Sequence, residues 1–218
     1  MNVSLWLWPA LVIAWKYGWL RMYIMALGAI SLHELAHGLI AVLFRADISE
    51  FRLGPAGALL VLNEPIPKQV PMAVLHMAGP VFNVILAVGC LAMFQLSVRQ
   101  GGTFEVNREL WRDGCLINCY LAVFNLLPVY PLDGGKILLS ILEKSQGQVR
   151  AFQKIYLFSS IFSIFIFFLG IYLVQYQIVN FFLCILAFRC MKQLRTDRQY
   201  MVMQRVIRAQ TSNKRKVE

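Results

Sequence analysis

Two histidines and a glutamate, His33, Glu34 and His37, interrupt the apolar run "ISLHELAHGLIAVLF" at residues 30–44. Ionisable groups among oily neighbours are costly unless they are paired or coordinated. On a helix, His33 and His37 are four residues apart and share one face, with about 5–6 Å between their Cβ atoms. Two imidazoles so placed can hold one metal ion. Glu34 follows His33 directly and is turned about 100° away around the helix. That direction suits a base acting on a bound water better than it suits a ligand. From these residues alone one alternative stays open, a pair of core histidines that make polar contacts between helices.

The H-E-x-x-H spacing is the one by which zinc metalloproteases hold their metal, with the glutamate as general base. A catalytic zinc takes three protein ligands and leaves one position for water, so a third ligand must come from elsewhere. His76 is the one other histidine, and the acids within or bordering apolar stretches are Asp113 and Asp133. Asp133 is the better candidate. It lies in "NLLPVYPLDGGK", residues 125–136, where Pro128 and Pro131 break the preceding helix and Gly134 and Gly135 permit close backbone approach. Asp133 could instead cap the helix "GGKILLSILEK", but capping would not explain why it shares a depth with the histidines, at the same cytoplasmic end as His37 when both termini are cytoplasmic.

Asn83, in "GPVFN" at 79–83, and Asn125 are amides in apolar stretches. Each could donate to a substrate carbonyl or a developing oxyanion, or could tie two helices together. His76, about two turns before Asn83, reads as an interface histidine. A membrane-anchored protease with a soluble catalytic domain would instead need a glutamate as third ligand, for which Glu105, Glu109 and Glu143 remain. A zinc permease or sensor would use the same ligands without hydrolysis.

The elements that position these groups are membrane helices. The chain has 218 residues, 59% of them hydrophobic and 15% charged, whereas soluble domains carry about 25% charged residues. Apolar stretches run over about 3–16, 21–44, 71–98, 111–127, 155–174 and 176–191. The expected fold is therefore an all-α polytopic membrane protein of about six transmembrane helices. Residues 1–191 form the transmembrane domain and 192–218 a basic cytoplasmic tail. The first stretch lacks the order of a signal peptide, since Lys16 follows its apolar part, and reads as a retained span.

With six spans and both termini in the cytoplasm, 16 of the 21 Lys and Arg fall on the cytoplasmic side, in keeping with the positive-inside rule. Between the second and third spans, Gly54, Pro55 and Gly57 precede the β-prone run Leu59–Leu62, which predicts a short hairpin or re-entrant loop. Nine of the basic residues lie in 189–218, against Asp197 and Glu218. That concentration leaves little basic surface for nucleic acid and favours contact with an anionic bilayer surface. The five cysteines form no C-x-x-C and read as small buried hydrophobes, although Cys115 and Cys119, one turn apart, could touch a metal.

"HELAH" on the second stretch, "AGPVFN" on the third and "NLLPVYPLDGG" at the end of the fourth resemble the site-2 protease family of intramembrane zinc metalloproteases. The resemblance covers about residues 5–190. It implies that His33, His37 and Asp133 bind one zinc ion, that Glu34 activates the water, and that Asn125 and Asn83 position substrate. Within the family, "NLLPVYPLDGGK" and the tail "RTDRQYMVMQRVIRAQ" are most similar to the sporulation proteases that remove the pro-sequence of a sigma factor. This implies a membrane-associated protein substrate such as a pro-sigma factor, with another regulated pathway, such as one ending on an anti-sigma factor, as the alternative. It also implies membrane-bound inhibitor or regulator proteins as partners, and a place in a bacterial cell membrane or the one that surrounds a forespore.

Overall fold

The computed structural model describes residues 2–46, 48–54, 57–62, 71–100, 107–174 and 187–199. In chain order these form β1 (Asn2–Val3), α1 (Leu7–Lys16), α2 (Leu20–Leu43), β2 (Ile48–Gly54) and β3 (Gly57–Leu62). The helices α3 (Met72–Gln100), α4 (Arg108–Asn125), α5 (Asp133–Gln146) and α6 (Gln148–Val174) follow, and then α7 over 187–199. Three helical segments, Leu20–Leu43, Met72–Arg99 and Val149–Leu173, are long and apolar enough to cross a membrane. They correspond to three of the six expected stretches. The first stretch is a shorter apolar helix of 10 residues, and the fourth, α4, opens with Arg108, Glu109, Arg112 and Asp113. Most of the sixth, 176–186, lies outside the described residues, as do Lys68 and the tail from residue 200.

The burial pattern of α2 is inverted relative to a soluble helix. His33 and His37 are 4% and 8% exposed, whereas Leu35 and Leu39 are 51% and 70% exposed. A helix whose polar side faces protein and whose leucines face outward is built for lipid, where no water is available to satisfy inner groups.

The chain divides into two compact units. The first contains residues 1–127 and 132–140. In it α2 packs on α3 and α4 through small side chains, with Ala29, Gly38 and Ala41 of α2 and Gly79 and Ala87 of α3 buried. Small residues let helix backbones come close in lipid, where hydrophobicity does not drive them together. Ala41, Ala46 and Leu75 form its core cluster, with Ile40, Phe44 and Met72 against it.

The hairpin predicted between the second and third spans is present. β2 and β3 pair antiparallel, from Ile48 opposite Leu62 to Gly54 opposite Gly57, with an irregularity between Ile48 and Glu50. Asn2 and Val3 add a parallel strand beside Arg52 and Leu53, and β3 is left at an edge of the sheet. Two residues are too short for any period to announce them.

The second unit contains residues 128–131 and 141–218. Ala151, Phe152 and Ile155 of α6 are buried in it, as are Ala187, Cys190 and Leu194 of α7. The Tyr130 backbone N–H donates to Ser159 Oγ at 2.9 Å, and its phenol donates to Asp197 Oδ2 at 2.7 Å. Burial, and then the neighbouring Asp197 carboxylate, push the Tyr130 phenol up, so it stays a donor at neutral pH. α6 begins at Gln148, seven residues before the apolar stretch, because Arg150 and Lys154 ride on its first turns.

Candidate metal centre

His33, His37 and Asp133 come together inside the first unit, all three buried, and are the one such metal-competent group among the described residues. The Nε2 atoms of the two histidines are 3.1 Å apart. Asp133 Oδ2 lies 3.0 Å from the first and 3.2 Å from the second. Three donors around a tetrahedral zinc with bonds of about 2.0–2.1 Å stand about 3.3 Å apart. The observed triangle is within a few tenths of an ångström of that, so this donor set fits zinc.

The second nitrogen of His37 sharpens the fit. His37 Nδ1 donates to the Leu75 carbonyl at 2.7 Å, which in the neutral ring leaves Nε2 as a lone pair aimed at the shared point. His33 Nδ1 is buried and has no hydrogen-bond partner among the described residues.

The local sequence explains how these groups meet. Helical spacing puts His33 and His37 on one face of α2, their ring centroids 4.7 Å apart. On α3, Gly79 presses its backbone onto them: a Cβ there would stand 2.5 Å from His33 Cε1 and from His37 Nε2. Pro80 follows, and its missing N–H breaks the hydrogen-bond ladder at the preceding turn, next to the Leu75 carbonyl that receives His37. Asp133 is the first residue of α5, and Gly134 beside it packs so close to the Leu126 and Leu127 backbone that a Cβ would clash.

Asp133 does not spend its carboxylate on capping. Its described partners are His33, His37, His76 and Lys136.

Glu34 is half-buried on α2, in sequence between the two histidines. Asn83, one turn beyond Gly79 on α3, is fully buried, and neither its Nδ2 nor its Oδ1 has a partner among the described residues. Asn125 closes α4 and donates from Nδ2 to the Leu121 carbonyl at 3.0 Å. Asp113, the other candidate ligand, is engaged elsewhere: it pairs with Arg21 at 2.7 Å and with Arg112 at 3.0 Å. Cys115 and Cys119 are half-buried and exposed, outside the metal-competent group. Of the groups read only as packing, His76 is placed differently, with Nδ1 3.5 Å from Asp133 Oδ1. Its type was the available signal, since all three histidines of the chain gather at this point.

Comparison with known proteins agrees with this arrangement. Residues 96–169, which include Asp133, match Peptidase family M50. Zinc metalloprotease MJ0392 of Methanocaldococcus jannaschii is 30% identical over 136 residues, 61% of this chain and 38% of that protein. Stage IV sporulation protein FB of Bacillus subtilis is 27% identical over 148 residues, 66% of this chain and 48% of that protein. The chain thus spans less than half the length of either relative. The solved site-2 protease from Methanocaldococcus jannaschii superposes with a TM-score of 0.63 at 21% identity, covering 88% of each chain. Residues 96–169 are thus similar to Peptidase family M50, and the chain shares the fold of that solved structure.

Proposed function

We propose that this protein is an intramembrane zinc metalloendopeptidase that hydrolyses a peptide bond in or next to a membrane-associated segment. The observation that carries the reading is the buried triangle of His33 Nε2 and His37 Nε2, on the apolar helix α2, with Asp133 Oδ2, at 3.0–3.2 Å. His33, His37 and Asp133 would hold the zinc ion, which would supply Lewis acidity for activating the attacking water. Glu34 takes one proton from the attacking water and returns it to the leaving amide nitrogen as the C–N bond breaks. Asn83, whose amide has no partner among the described residues, is the donor assigned to the scissile carbonyl. Asn125 has spent one N–H on Leu121 and offers the other to the substrate backbone.

A helical substrate hides its carbonyls in its own hydrogen bonds and must be extended before cleavage. The edge strand β3 suits that task. Its first residue, Gly57, lies against Ile30, one turn before His33 on α2. A substrate strand added to this edge satisfies its backbone groups while it lies near the histidines.

The finer reading is activation of a sporulation pro-sigma factor by removal of its pro-sequence, in a bacterial membrane with both termini cytoplasmic. It rests on the resemblance of "NLLPVYPLDGGK" to sporulation proteases, on the identity to Stage IV sporulation protein FB and on the distribution of Lys and Arg. Co-expression with membrane-associated pro-proteins, comparing the natural chain with Glu34→Gln, tests both levels. The expected outcome is cleavage of a pro-sigma factor by the natural chain and loss of about 100-fold or more in Glu34→Gln, with zinc retained. Cleavage that survives Glu34→Gln would overturn the protease reading; Glu34-dependent cleavage of some other protein alone would overturn the sporulation one.

A further inference from the structure

We propose that His76 is a positioning residue, which holds the outer oxygen of Asp133 so that the inner oxygen is presented to the metal. The inference rests on the reading of His33, His37 and Asp133 as zinc ligands and adds a residue to it. Asp133 divides its two oxygens between two sets of neighbours. Oδ2 faces His33 and His37 at 3.0 and 3.2 Å, whereas Oδ1 faces His76 Nδ1 at 3.5 Å and Lys136 Nζ at 3.8 Å. The carboxylate therefore has one oxygen for the ion and one for the protein.

The two groups behind Oδ1 are not equivalent. Lys136 belongs to the same helix as Asp133, three residues on, and moves with it. Its amine is a flexible point charge on a long stem. His76 comes from α3 and is the less exposed of the pair, with 16% of its side chain accessible against 36% for Lys136. A rigid ring on a separate helix can fix the rotation of the carboxylate about its own axis, which a lysine on the same helix cannot.

His76 also lies three residues before Gly79, on the face of α3 that touches the histidines, and its ring centroid is 6.1 Å from that of His37. A histidine in an otherwise apolar helix segment costs more than the leucine that packing alone would favour. Orientation of a ligand by a polar neighbour accounts for it, since loss of such a neighbour typically costs about 10- to 100-fold in metal affinity. The triangle itself is complete without His76, and a catalytic zinc keeps its fourth position open for water.

The test uses Co2+ as a spectroscopic substitute for zinc in the purified full chain, with metal affinity and the visible ligand-field bands as readouts. Four variants are compared with the natural chain: His76→Leu, His76→Asn, His76→Gln and Asp133→Asn. The Asn amide nitrogen falls where the imidazole Nδ1 stood, whereas that of Gln falls one bond beyond. The expected result is a loss of Co2+ affinity of about 10- to 100-fold with altered bands in His76→Leu and His76→Gln. His76→Asn should recover to within a few-fold of the natural chain.

If His76→Leu fails to fold, the contrast of Asn with Gln decides alone. Equal affinity and identical bands across the His76 series, in a chain whose Asp133→Asn variant loses Co2+, would overturn this inference and leave the zinc site standing. Equal impairment of Asn and Gln would overturn it too. A natural chain that takes up no Co2+, or an Asp133→Asn variant that keeps it, would instead overturn the zinc site.

Discussion

Two buried aspartates meet the same helix at different heights, and their neighbours differ in what they can supply. Near the start of α2, Asp113 accepts from Arg21 at 2.7 Å and from Arg112 at 3.0 Å, and Glu109 shares Arg21 at 3.1 Å. Twelve residues further on, about 18 Å along the axis, Asp133 turns Oδ2 onto His33 and His37. The first carboxylate is neutralised by guanidinium groups that the chain itself provides. The second turns its inner oxygen to two ring nitrogens, and that of His37 is a lone pair when the ring is neutral, because Nδ1 donates to Leu75. Equal burial thus conceals opposite situations: one cluster is complete in charge and donors, and the other converges acceptors on a point that a cation completes. Burial of a charged group is weak evidence for function, and the donor inventory around it is stronger.

Asp133→Asn should separate the two clusters by the largest margin. It removes the anionic member of the proposed donor set, so zinc affinity should fall by more than about 100-fold, beyond what outer-shell substitutions cost. Elemental analysis of the purified chain and a cleavage assay measure this. The comparison breaks if Asp133→Asn keeps its zinc, or if Asp113→Asn is the variant that loses it.

Gly79→Ala should have the next largest effect, through the rings and not through the ligands' chemistry. A Cβ at 2.5 Å from His33 Cε1 and His37 Nε2 forces either α3 or the rings to move, on the order of 1 Å. A misplacement of that size can lower turnover by about 100-fold, and overpacking destabilises by about 1–3 kcal/mol. Gly89 is the internal control, since it lies on the same helix with nothing near its missing Cβ. Gly89→Ala should leave cleavage unchanged and, by helix propensity, be neutral or slightly stabilising. Equal behaviour of the two alanine variants would show that α3 does not press on the metal cluster.

What could be read in the sequence follows the range of the interactions involved. His33, Glu34 and His37 were legible because a helix repeats every 3.6 residues, and their spacing alone puts the two rings together. The break at Pro128 and Pro131 and the hairpin between α2 and α3 were legible because Pro and Gly act locally. Asp133 meets His33 across 100 residues of sequence, and no local rule connects them. Topology alone connects them, because Asp133 is the acid that shares a depth with the histidines, and only the arginines around Asp113 separate the two aspartates.

Gly79 shows where such reasoning stops. "AGP" announced a kink, but not that the glycine lies beneath both rings. His76 looked like packing because its partner oxygen belongs to a segment 57 residues away. The count of spans is the other case. Length and hydropathy mark α2, α3 and α6, while α4 carries four charged residues in its first turns, three of which belong to the Arg21 network.

That network gives the smallest expected effect and completes the comparison. Asp113→Asn keeps the shape of the side chain and removes its charge, leaving Arg21 and Arg112 without the carboxylate. Their side chains are 51% and 56% exposed, so water can take over much of what Asp113 supplied. The charge-assisted bonds are worth about 1.5–3 kcal/mol where buried, and solvent access at the arginine end brings the expected loss down to about 1–2 kcal/mol. In detergent the unfolding midpoint should fall by a few degrees, about 2–4 °C per kcal/mol for a chain of this size. Zinc content and the ratio of cleavage to bound zinc should stay as in the natural chain, because the start of α2 holds the helix in place without touching the donors. A drop in zinc occupancy in folded Asp113→Asn would mean that the ion-pair network sets the register of α2 against α4 closely enough to aim the histidines. The two clusters would then be one device and not two.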